Sequence, residues 1–338
     1  MMNAKILTLA LAATAMATGC MQKEVVSVPE NGSQIGFSTW VGKPTKAVND
    51  LNDNTKFNTF YVFGSYENAG AYTTVFNNDA VTTNDNGANW TAPVQYWVPD
   101  KEYKFIAYSD GNNKLTDVEF DDASGNLSIN NYTVGNNDLI ISGIETQTGL
   151  ASGNAPVALS FKHLLSKVKF TITAEGFGTA VQVNVSELKI MNARYKGSYT
   201  TAGWAPAAEV KADGIAYQDF NANDPDHEAE ECYVLPQQYD ASYIPVVTFK
   251  VSVTDGTTVL ATKEVTVDDA TSLLAASGNN AEWKAGYVYN YVATLTPDNV
   301  SSQFEKIEFA VEGVEDWNAD VNGDSQVNEN DDIPVNID

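Results

Sequence analysis

Apolar and polar residues alternate in short segments along most of the chain. Ile35, Phe37 and Val41 fall on one face of an extended segment, and Tyr103 and Phe105 do so in another. Successive side chains of a β-strand point to opposite faces, whereas a helix places apolar residues three or four positions apart. The pattern therefore predicts half-buried strands and an all-β protein.

Clusters of Asn, Asp and Gly separate these segments, for example at residues 77–79, 84–87 and 121–126. Such residues tolerate the backbone conformations of tight turns and interrupt helices. Many short strands divided by turns at this spacing are typical of a sandwich or barrel. We predict two antiparallel β-sandwich domains.

The length of 338 residues allows about two domains, since one domain commonly takes ~150 residues. Residues 148–156 are small, polar and rich in breakers of regular structure, which indicates a boundary. We place the junction at Asn154. Residues 1–19 then form a signal peptide, residues 20–154 an N-terminal sandwich, and residues 155–338 a C-terminal sandwich with an acidic tail.

Acidic side chains dominate the charge of the chain. The 44 Asp and Glu against 19 Lys and Arg give a formal net charge of −25. Because this charge repels phosphate groups, the sequence argues against nucleic-acid binding and against electrostatic attachment to anionic membrane surfaces. Apolar residues make up 43% of the chain, which is enough for a folded core.

The N-terminus carries an export signal. Lys5 precedes an apolar stretch at residues 6–17, which is too short to span a bilayer but fits the hydrophobic region of a secretory signal. Residues 17–20 (ATGC) resemble the lipobox of bacterial lipoproteins, in which the Cys thiol accepts a diacylglyceryl group. We therefore predict an exported lipoprotein of the outer membrane, anchored through lipid on Cys20. The alternative is an ordinary secretory signal with an incidental Cys.

Residue types that build common catalytic and metal centres are scarce. The chain has two His, His163 and His227, and Cys232 is the only Cys besides Cys20. This leaves almost no material for Ser-His-Asp, Cys-His or zinc sites, and the sequence has no phosphate-binding or dinucleotide motif. We expect His163 to be a core or domain-junction residue and Cys232 a small buried strand residue, in a protein that is not an enzyme.

Four segments together resemble, in order and spacing, the fimbrillin family of Bacteroidales, the lipoprotein-derived subunits of type V pili. They are WTAPVQYWVP with YKFIAY within residues 90–108, LSFKHLLSKVKF at residues 159–170, YVLPQQ at residues 233–238 and WKAGYVYNY at residues 283–291. The resemblance implies transthyretin-like sandwich domains and a structural role in adhesion at the cell surface.

The physical content of the last segment is structural. Tyr287, Tyr289 and Tyr291 share one face of a predicted strand, which gives a row of large rings that covers a sheet. We expect Gly286, directly before this strand, to serve a turn.

The resemblance also implies a mechanism of assembly. A fimbrillin precursor is cut by a trypsin-like protease after its first strand, and loss of that strand opens a groove that a strand of the next subunit fills. The first strand here is residues 35–41, and Lys46 followed by Ala47 is the cleavable basic site beyond it. Alternatively, Lys46 is a solvated loop residue. Other fimbrial subunits are the expected partners, and a host or bacterial surface ligand is a further one.

Two segments near the C-terminus are candidates for the donated strand. Ile333, Val335 and Ile337 alternate with Pro, Asn and Asp at the end of the chain, and residues 307–311 alternate in the same way upstream. We favour the terminal segment, because β-branched residues at a free end otherwise need a resident partner. In the alternative, both segments pair within their own sheets.

Residues 320–331 resemble one calcium loop of a dockerin module. The oxygen ligands would come from Asp320, Asn322, Asp324, the Gln326 carbonyl, Asn328 through water, and Asp331. Ser325 stands where such loops carry Gly, and a second loop is missing. The alternative to a calcium site is a flexible acidic hinge.

We predict a structural fimbrial subunit that polymerises by donor-strand exchange, supports adhesion and needs no cofactor other than the calcium considered above. Two alternatives stay open: a non-polymerising anchor or tip adhesin of the same family, and a glycan-binding surface lipoprotein. The second alternative needs exposed aromatic platforms among the six Trp of the chain. Burial of all six would count against it.

Overall fold

The computed structural model describes residues 33–41, 57–224, 227, 230–238, 244–267, 282–301 and 306–316, the last six of these through their backbone alone. Strands dominate these residues, which confirms the all-β fold class. The described part of the chain has no helix that is long and apolar enough to cross a membrane.

The strands and the short helix follow one another along the chain in this order: β1 (Phe37–Val41), β2 (Thr59–Asn68), β3 (Ala71–Thr82), β4 (Glu102–Asp110), β5 (Val118–Phe120), β6 (Leu127–Thr133), β7 (Leu139–Ser142), β8 (Glu145–Thr148), β9 (Val157–His163), β10 (Ser166–Ala174), β11 (Gln182–Met191), β12 (Lys196–Thr200), β13 (Gly203–Pro206), β14 (Ile215–Ala216), β15 (Phe220–Asn221), β16 (Glu231–Val234), β17 (Gln237–Gln238), β18 (Val246–Thr254), β19 (Val259–Val267), β20 (Glu282–Trp283), β21 (Tyr287–Leu295), α1 (Pro297–Ser301) and β22 (Ala310–Asp316).

The first sheet is built from the N-terminal part of the chain. Its strands lie in the order β1-β9-β7-β4-β2-β3, with β8 also paired to β4. β9 begins shortly after Asn154 and pairs with β1 and β7, so it belongs to this sheet. β10 lies in another sheet, and the chain therefore changes sheets between His163 and Ser166. The division into two domains at Asn154 stays a prediction.

Three larger sheets and a two-stranded ribbon follow. The strand orders are β16-β10-β21-β22, β14-β11-β18-β19 with β15 also on β11, and β13-β12-β6-β5, while β17 pairs with β20. In the β13-β12-β6-β5 sheet, β5 and β6 precede β9 in the sequence whereas β12 and β13 follow it. This sheet therefore connects the two parts of the chain.

Most neighbouring strands are antiparallel, as predicted, but two pairs are parallel. β1 runs parallel to β9, with Phe37 opposite Val157. β10 runs parallel to β21, with Phe170 opposite Tyr291. Parallel neighbours need a long connection, and here several other strands form it. The alternation of apolar residues along a strand does not reveal the direction of its neighbour, so the sequence did not predict these pairs.

Three clusters of buried apolar side chains hold the sheets together. The N-terminal core includes Ile35, Phe37, Phe57, Phe60, Val62, Tyr66, Phe76, Val81, Trp97, Tyr103, Phe105, Val157, Leu159 and Phe161. The C-terminal core includes Val168, Phe170, Val183, Val185, Leu188, Val251, Trp283, Tyr289, Tyr291, Ile307 and Phe309. The central core includes Phe63, Ile106, Tyr108, Leu127, Leu139, Leu164, Leu165, Tyr233, Leu235 and Val288. The central core draws on both parts of the chain and so ties them together.

One of the predicted turns is wrong. Residues 77–79 lie inside β3, where the register with β2 shifts so that Val62 faces Asp79 and Phe63 faces Asn77. Asn78, between them, has a φ of 57°, in the left-handed region that Asn tolerates better than most residues. The segment is a β-bulge, and bulges and turns favour the same residue types.

The predicted tyrosine row is confirmed. Tyr289 and Tyr291 are buried in the C-terminal core and Tyr287 packs against it, while Val288 faces the central core. Gly286 has a φ of 78° and its N–H donates a backbone hydrogen bond of 2.8 Å, which confirms the turn before this strand. β21 thus separates two of the three cores.

Gly64 in β2 makes room for one ring of the N-terminal core. A Cβ atom at this position would lie 2.6 Å from Phe105 Cδ1, and Phe105 is fully buried. We therefore expect Gly64→Ala to lower the free energy of unfolding by about 1–3 kcal/mol, since overpacking forces the ring or the backbone to shift. Urea denaturation checks this. Gly36→Ala is the control, because a Cβ there would meet nothing within 4 Å; equal effects of the two substitutions would contradict tight packing at Gly64.

Candidate functional site

β1 is an edge strand that lies next to β9 alone among the described strands. Just before it, the N–H of Ile35 donates to the Gln95 carbonyl oxygen at 2.8 Å, and the N–H of Trp97 donates to the Ser33 carbonyl oxygen at 3.0 Å. Residues 33–41 therefore run first beside a loop and then along the edge of β9. This confirms the predicted first strand and shows that its removal would expose a sheet edge.

Phe37 anchors β1 in the N-terminal core. Its ring meets the rings of Phe60, Phe76 and Phe105 edge to face, with centroid distances of 5.9, 5.5 and 5.8 Å. Each such pair adds about 0.5–1.5 kcal/mol beyond the burial of area. A single side chain thus supplies much of the attachment of a short edge strand. We call the space that Phe37 fills between these three rings the anchor pocket.

The β9 face next to β1 carries apolar side chains. On β9, Val157, Leu159 and Phe161 are buried and lie opposite alternate residues of β1. Ile35 is fully buried and Val41 packs against the same core. Ile35 and Val41 leave with the β1 segment, so its loss would turn Val157, Leu159, Phe161 and the backbone edge of β9 towards water, an arrangement that accepts another strand. We call this surface, with β1 removed, the β1 groove.

Sequence reasoning missed the rings that form the anchor pocket. Phe60, Phe76 and Phe105 lie in β2, β3 and β4, and only the pairing of β2 with both neighbours brings them together. Each strand showed its buried face in the sequence, but alternation within one strand carries no information about which other strand it meets. The pocket could be recognised only from the order of the strands in the sheet.

The predicted site residues lie outside the described residues. They are the lipidation site Cys20, the processing site Lys46 and Ala47, the donor residues Ile333, Val335 and Ile337, and the calcium ligands Asp320, Asn322, Asp324, Gln326, Asn328 and Asp331. Their roles stay predictions. What is described is the strand directly before the processing site, which ends at Val41.

The second donor candidate is a resident part of the C-terminal core. Ile307 and Phe309 are buried, and the Phe309 ring contacts that of Phe170 at a centroid distance of 5.5 Å. The following strand, β22, pairs with β21 along its length. The last two residues of this segment pair within their own sheet, in line with the alternative that the sequence left open, while Ile307 and Phe309 precede the strand and are held by packing.

His163 is a core residue, as predicted. It ends β9, is 1% exposed, and its Nδ1 lies 2.9 Å from Asp138 Oδ2. A carboxylate oxygen can only accept, so Nδ1 donates. Burial lowers the pKa of His163, because the protonated ring would lose its hydration, while the Asp138 carboxylate acts in the opposite direction. The pair lies next to Leu164 and Leu165 of the central core and is structural in character.

Asp110 is a second carboxyl group near this pair, and it is half-buried. Tyr132 Oη donates to Asp110 Oδ1 at 2.9 Å. Burial, assisted by the charge of Asp138, raises the pKa of Asp110 to about 6. The folded protein therefore holds a proton on Asp110 in a pH range in which the unfolded chain has lost it.

Asp110→Asn is expected to raise the free energy of unfolding by about 2 kcal/mol above pH 7 and to have little effect at about pH 4. The folded-state pKa lies above the unfolded value of 3.8, so Asp110 lowers the stability of the wild-type protein progressively as the pH rises from about 4 to about 6. Asn keeps an oxygen that accepts from Tyr132. Urea denaturation at both ends of this window measures the difference; an effect independent of pH would contradict a raised pKa.

Cys232 is not arranged as a nucleophile. It is a partly buried residue of β16. Burial raises the pKa of its thiol to about 12, so the group is protonated at neutral pH. Since the thiolate is the reactive form, this raised pKa disfavours a role as a nucleophile.

The tryptophans of the described residues are not all buried, so the glycan-binding alternative stays open. Two are buried and three are half-buried: Trp97 and Trp283, and Trp40, Trp90 and Trp204, respectively. Trp317 lies outside the described residues. Within those same ranges, no group of three or more His, Cys, Asp or Glu side chains is placed to hold a metal ion.

A sequence profile described as fimbrillin-like matches residues 45–317, which is most of the chain. The chain therefore belongs to the fimbrillin-like family, as the four segments indicated. This membership makes it a fimbria-related protein of the cell surface. No curated protein matches the sequence.

Solved structures share the fold at low sequence identity. A fimbrial protein of Bacteroides vulgatus is 16% identical with a TM-score of 0.53, and the match covers 84% of this chain and 99% of that one. A Bacteroides uniformis protein that is provisionally named a cell adhesion protein is 16% identical with a TM-score of 0.52, covering 86% of this chain and all of that one. At this identity the likeness extends to the fold alone.

Proposed function

We propose that the chain is a structural fimbrial subunit, which joins the next subunit by strand exchange at the cell surface and there supports adhesion. The proposal depends on one observation: β1 is an edge strand, and its loss would open the β1 groove, which includes the anchor pocket and the edge of β9. A new strand would restore the backbone hydrogen bonds and refill the groove with alternate side chains. Because this contact joins different surfaces of two subunits, it grows a filament.

Cleavage after Lys46 would release the lipid anchor and β1 in one step. Cys20 and β1 both precede Lys46 in the sequence. A single cut therefore detaches the subunit from the outer membrane and allows the groove to open. Before the cut, β1 occupies the groove and prevents premature assembly.

The terminal segment of the chain matches the β1 groove in pattern. If Ile333 takes the place of Ile35, then Pro334 takes the place of Gly36, and the later apolar residues of the segment lie on the same face as Ile333. The Gly36 carbonyl oxygen accepts from the N–H of Val157 at 2.8 Å, and proline keeps its carbonyl although it lacks an N–H. A Cβ atom at Gly36 would meet nothing within 4 Å, so this position of the strand has room for a side chain.

Deleting residues 333–338 should abolish surface fibres while the monomer stays folded, because the described residues already form three buried cores. Electron microscopy of cells and the ladder of subunits on unboiled gels measure assembly. Asn336→Ala is the matched control, since Asn336 would point away from the groove and fibres should form normally. Undiminished fibres after the deletion would remove the terminal strand from the mechanism.

The first residue of the mature chain tests the processing step. Chains from assembled fibres should begin at Ala47, and Lys46→Gln should leave the precursor uncut and monomeric. N-terminal sequencing by mass spectrometry provides the measurement. A fibre-associated chain that still begins at Cys20 would instead make the protein the lipid-bound, non-polymerising anchor of the same family.

The proposed role is mechanical and involves no catalysis. The two groups best suited to acid–base or nucleophilic chemistry support this: His163 is buried against Asp138, and the Cys232 thiol is held protonated. Adhesion then depends on the surface that the assembled fibre presents.

A further inference from the structure

The β1 groove has one position that an aliphatic residue fills poorly. The anchor pocket between Phe60, Phe76 and Phe105 takes the ring of Phe37 in three edge-to-face contacts. These contacts arise because the positive edge of one ring meets the negative face of another, so they need a ring on both sides. An aliphatic side chain makes dispersion contacts only and leaves part of the pocket empty.

The pocket is not free to shrink around a smaller side chain. Phe60, Phe76 and Phe105 have no exposed surface. Phe105 is also confined by the backbone of Gly64 on one side and by Trp97, at a centroid distance of 5.7 Å, on another. Close-packed interiors relax only in part around a deleted group. The pocket therefore keeps a shape that complements a ring.

The terminal segment of this chain carries no ring for the pocket. Residues 318–338 contain no Phe, Tyr or Trp. With Ile333 at the position of Ile35, the residue that reaches the anchor pocket is Val335. The segment thus keeps an aliphatic residue at the position of Ile35 but misfits at the position that holds β1 most firmly.

This inference rests on the proposed strand exchange. We propose that the preferred donor for the β1 groove is a strand of another fimbrial subunit and not a second copy of this chain. That strand carries an aromatic residue at the position of Phe37, where it fills the anchor pocket. The donor pattern is an aliphatic residue, one unrestricted residue and an aromatic one, as in Ile35, Gly36 and Phe37. The residue after the ring is also unrestricted, since Ser38 is exposed. The anchor pocket is the specificity determinant of the groove.

A displacement assay on the whole protein tests this. A recognition sequence for a site-specific protease, inserted after Lys46, allows the folded chain to be nicked with β1 still seated. Fluorescent peptides are then added, and anisotropy measures their binding, with the un-nicked chain as the blank. The peptides are residues 33–41, residues 331–338, and the Val335→Phe and Asn336→Phe versions of the latter.

We expect the Val335→Phe peptide to bind at least about tenfold more tightly than the unchanged 331–338 peptide. Asn336→Phe adds the same ring on the outward face and should bind like the unchanged peptide. If the 33–41 peptide binds but Val335→Phe gives no gain, or no more than Asn336→Phe, the aromatic preference is overturned and strand exchange stands. Failure of every peptide would contradict strand exchange itself and this inference with it.

The un-nicked chain gives a second readout that does not depend on the nick. Phe37→Val should raise the hydrogen-exchange rate of the Val157 amide, which donates to Gly36, by about tenfold. Ser38→Val is the matched control and should leave that rate unchanged. Equal rates in the two variants would overturn the role of the ring.

Discussion

Phe37→Ala is expected to lower the free energy of unfolding by about 3 kcal/mol, the lower end of the usual cost of removing a buried phenylalanine ring. The ring is 5% exposed and loses its contacts with three other rings. Since β1 is an edge strand, the substitution should also free β1 before the rest of the sheet unfolds. Urea denaturation measures the first effect, and hydrogen exchange resolved along the chain measures the second.

Ser38→Ala provides the matched control, because Ser38 is the neighbouring residue on the exposed face of the same strand. It should change stability by less than about 0.5 kcal/mol. If both variants lost the same stability, the attachment of β1 would come from its backbone and not from the anchor pocket. The β1 groove would then have no dominant position.

Asp138→Ala should also lower the free energy of unfolding by about 3 kcal/mol, because it removes one member of a buried, hydrogen-bonded pair. Asp138 and His163 are both fully buried, with 2.9 Å between Oδ2 and Nδ1. Asp138→Asn keeps an acceptor oxygen and should cost less. Denaturation of the purified variants at neutral pH measures the difference.

A double-mutant cycle with His163→Ala tests whether the two side chains act on each other. A coupling free energy of about 1 kcal/mol or more is expected for groups in direct contact. Additive losses would mean that each residue supports the central core through separate contacts. In that case the hydrogen bond itself would contribute little to the junction between the sheets.

Much of the strand content was predictable from the sequence, because it depends on local alternation. Ile35 and Phe37 on one face of the first strand, and Tyr289 and Tyr291 on one face of β21, follow from the period of two and are buried as expected. The burial of His163 was predictable from its apolar neighbours. Each of these inferences needed only residues close together in the chain.

The rest depends on contacts between distant residues. The parallel direction of β1 beside β9 leaves no mark on either strand, and the anchor pocket exists only because β2 pairs with β3 and β4. The bulge at Asn78 has the same residue types as a turn, so composition could not tell the two apart. The signal, processing, donor and calcium residues were assigned from short motifs. Such motifs indicate which chemistry a residue can perform, but they do not indicate where the residue lies in the fold.

The pairing of β1 with β9 has a consequence for the order of folding. Phe37 faces Val157, so β1 meets its neighbour only after the chain has continued for about 120 further residues. Closing so long a loop costs more chain entropy than forming the nearby pairs of β2 with β3 and β4. β1 therefore docks late, onto a sheet that is already built. A strand that docks last can also leave without unfolding the sheet to which it docked.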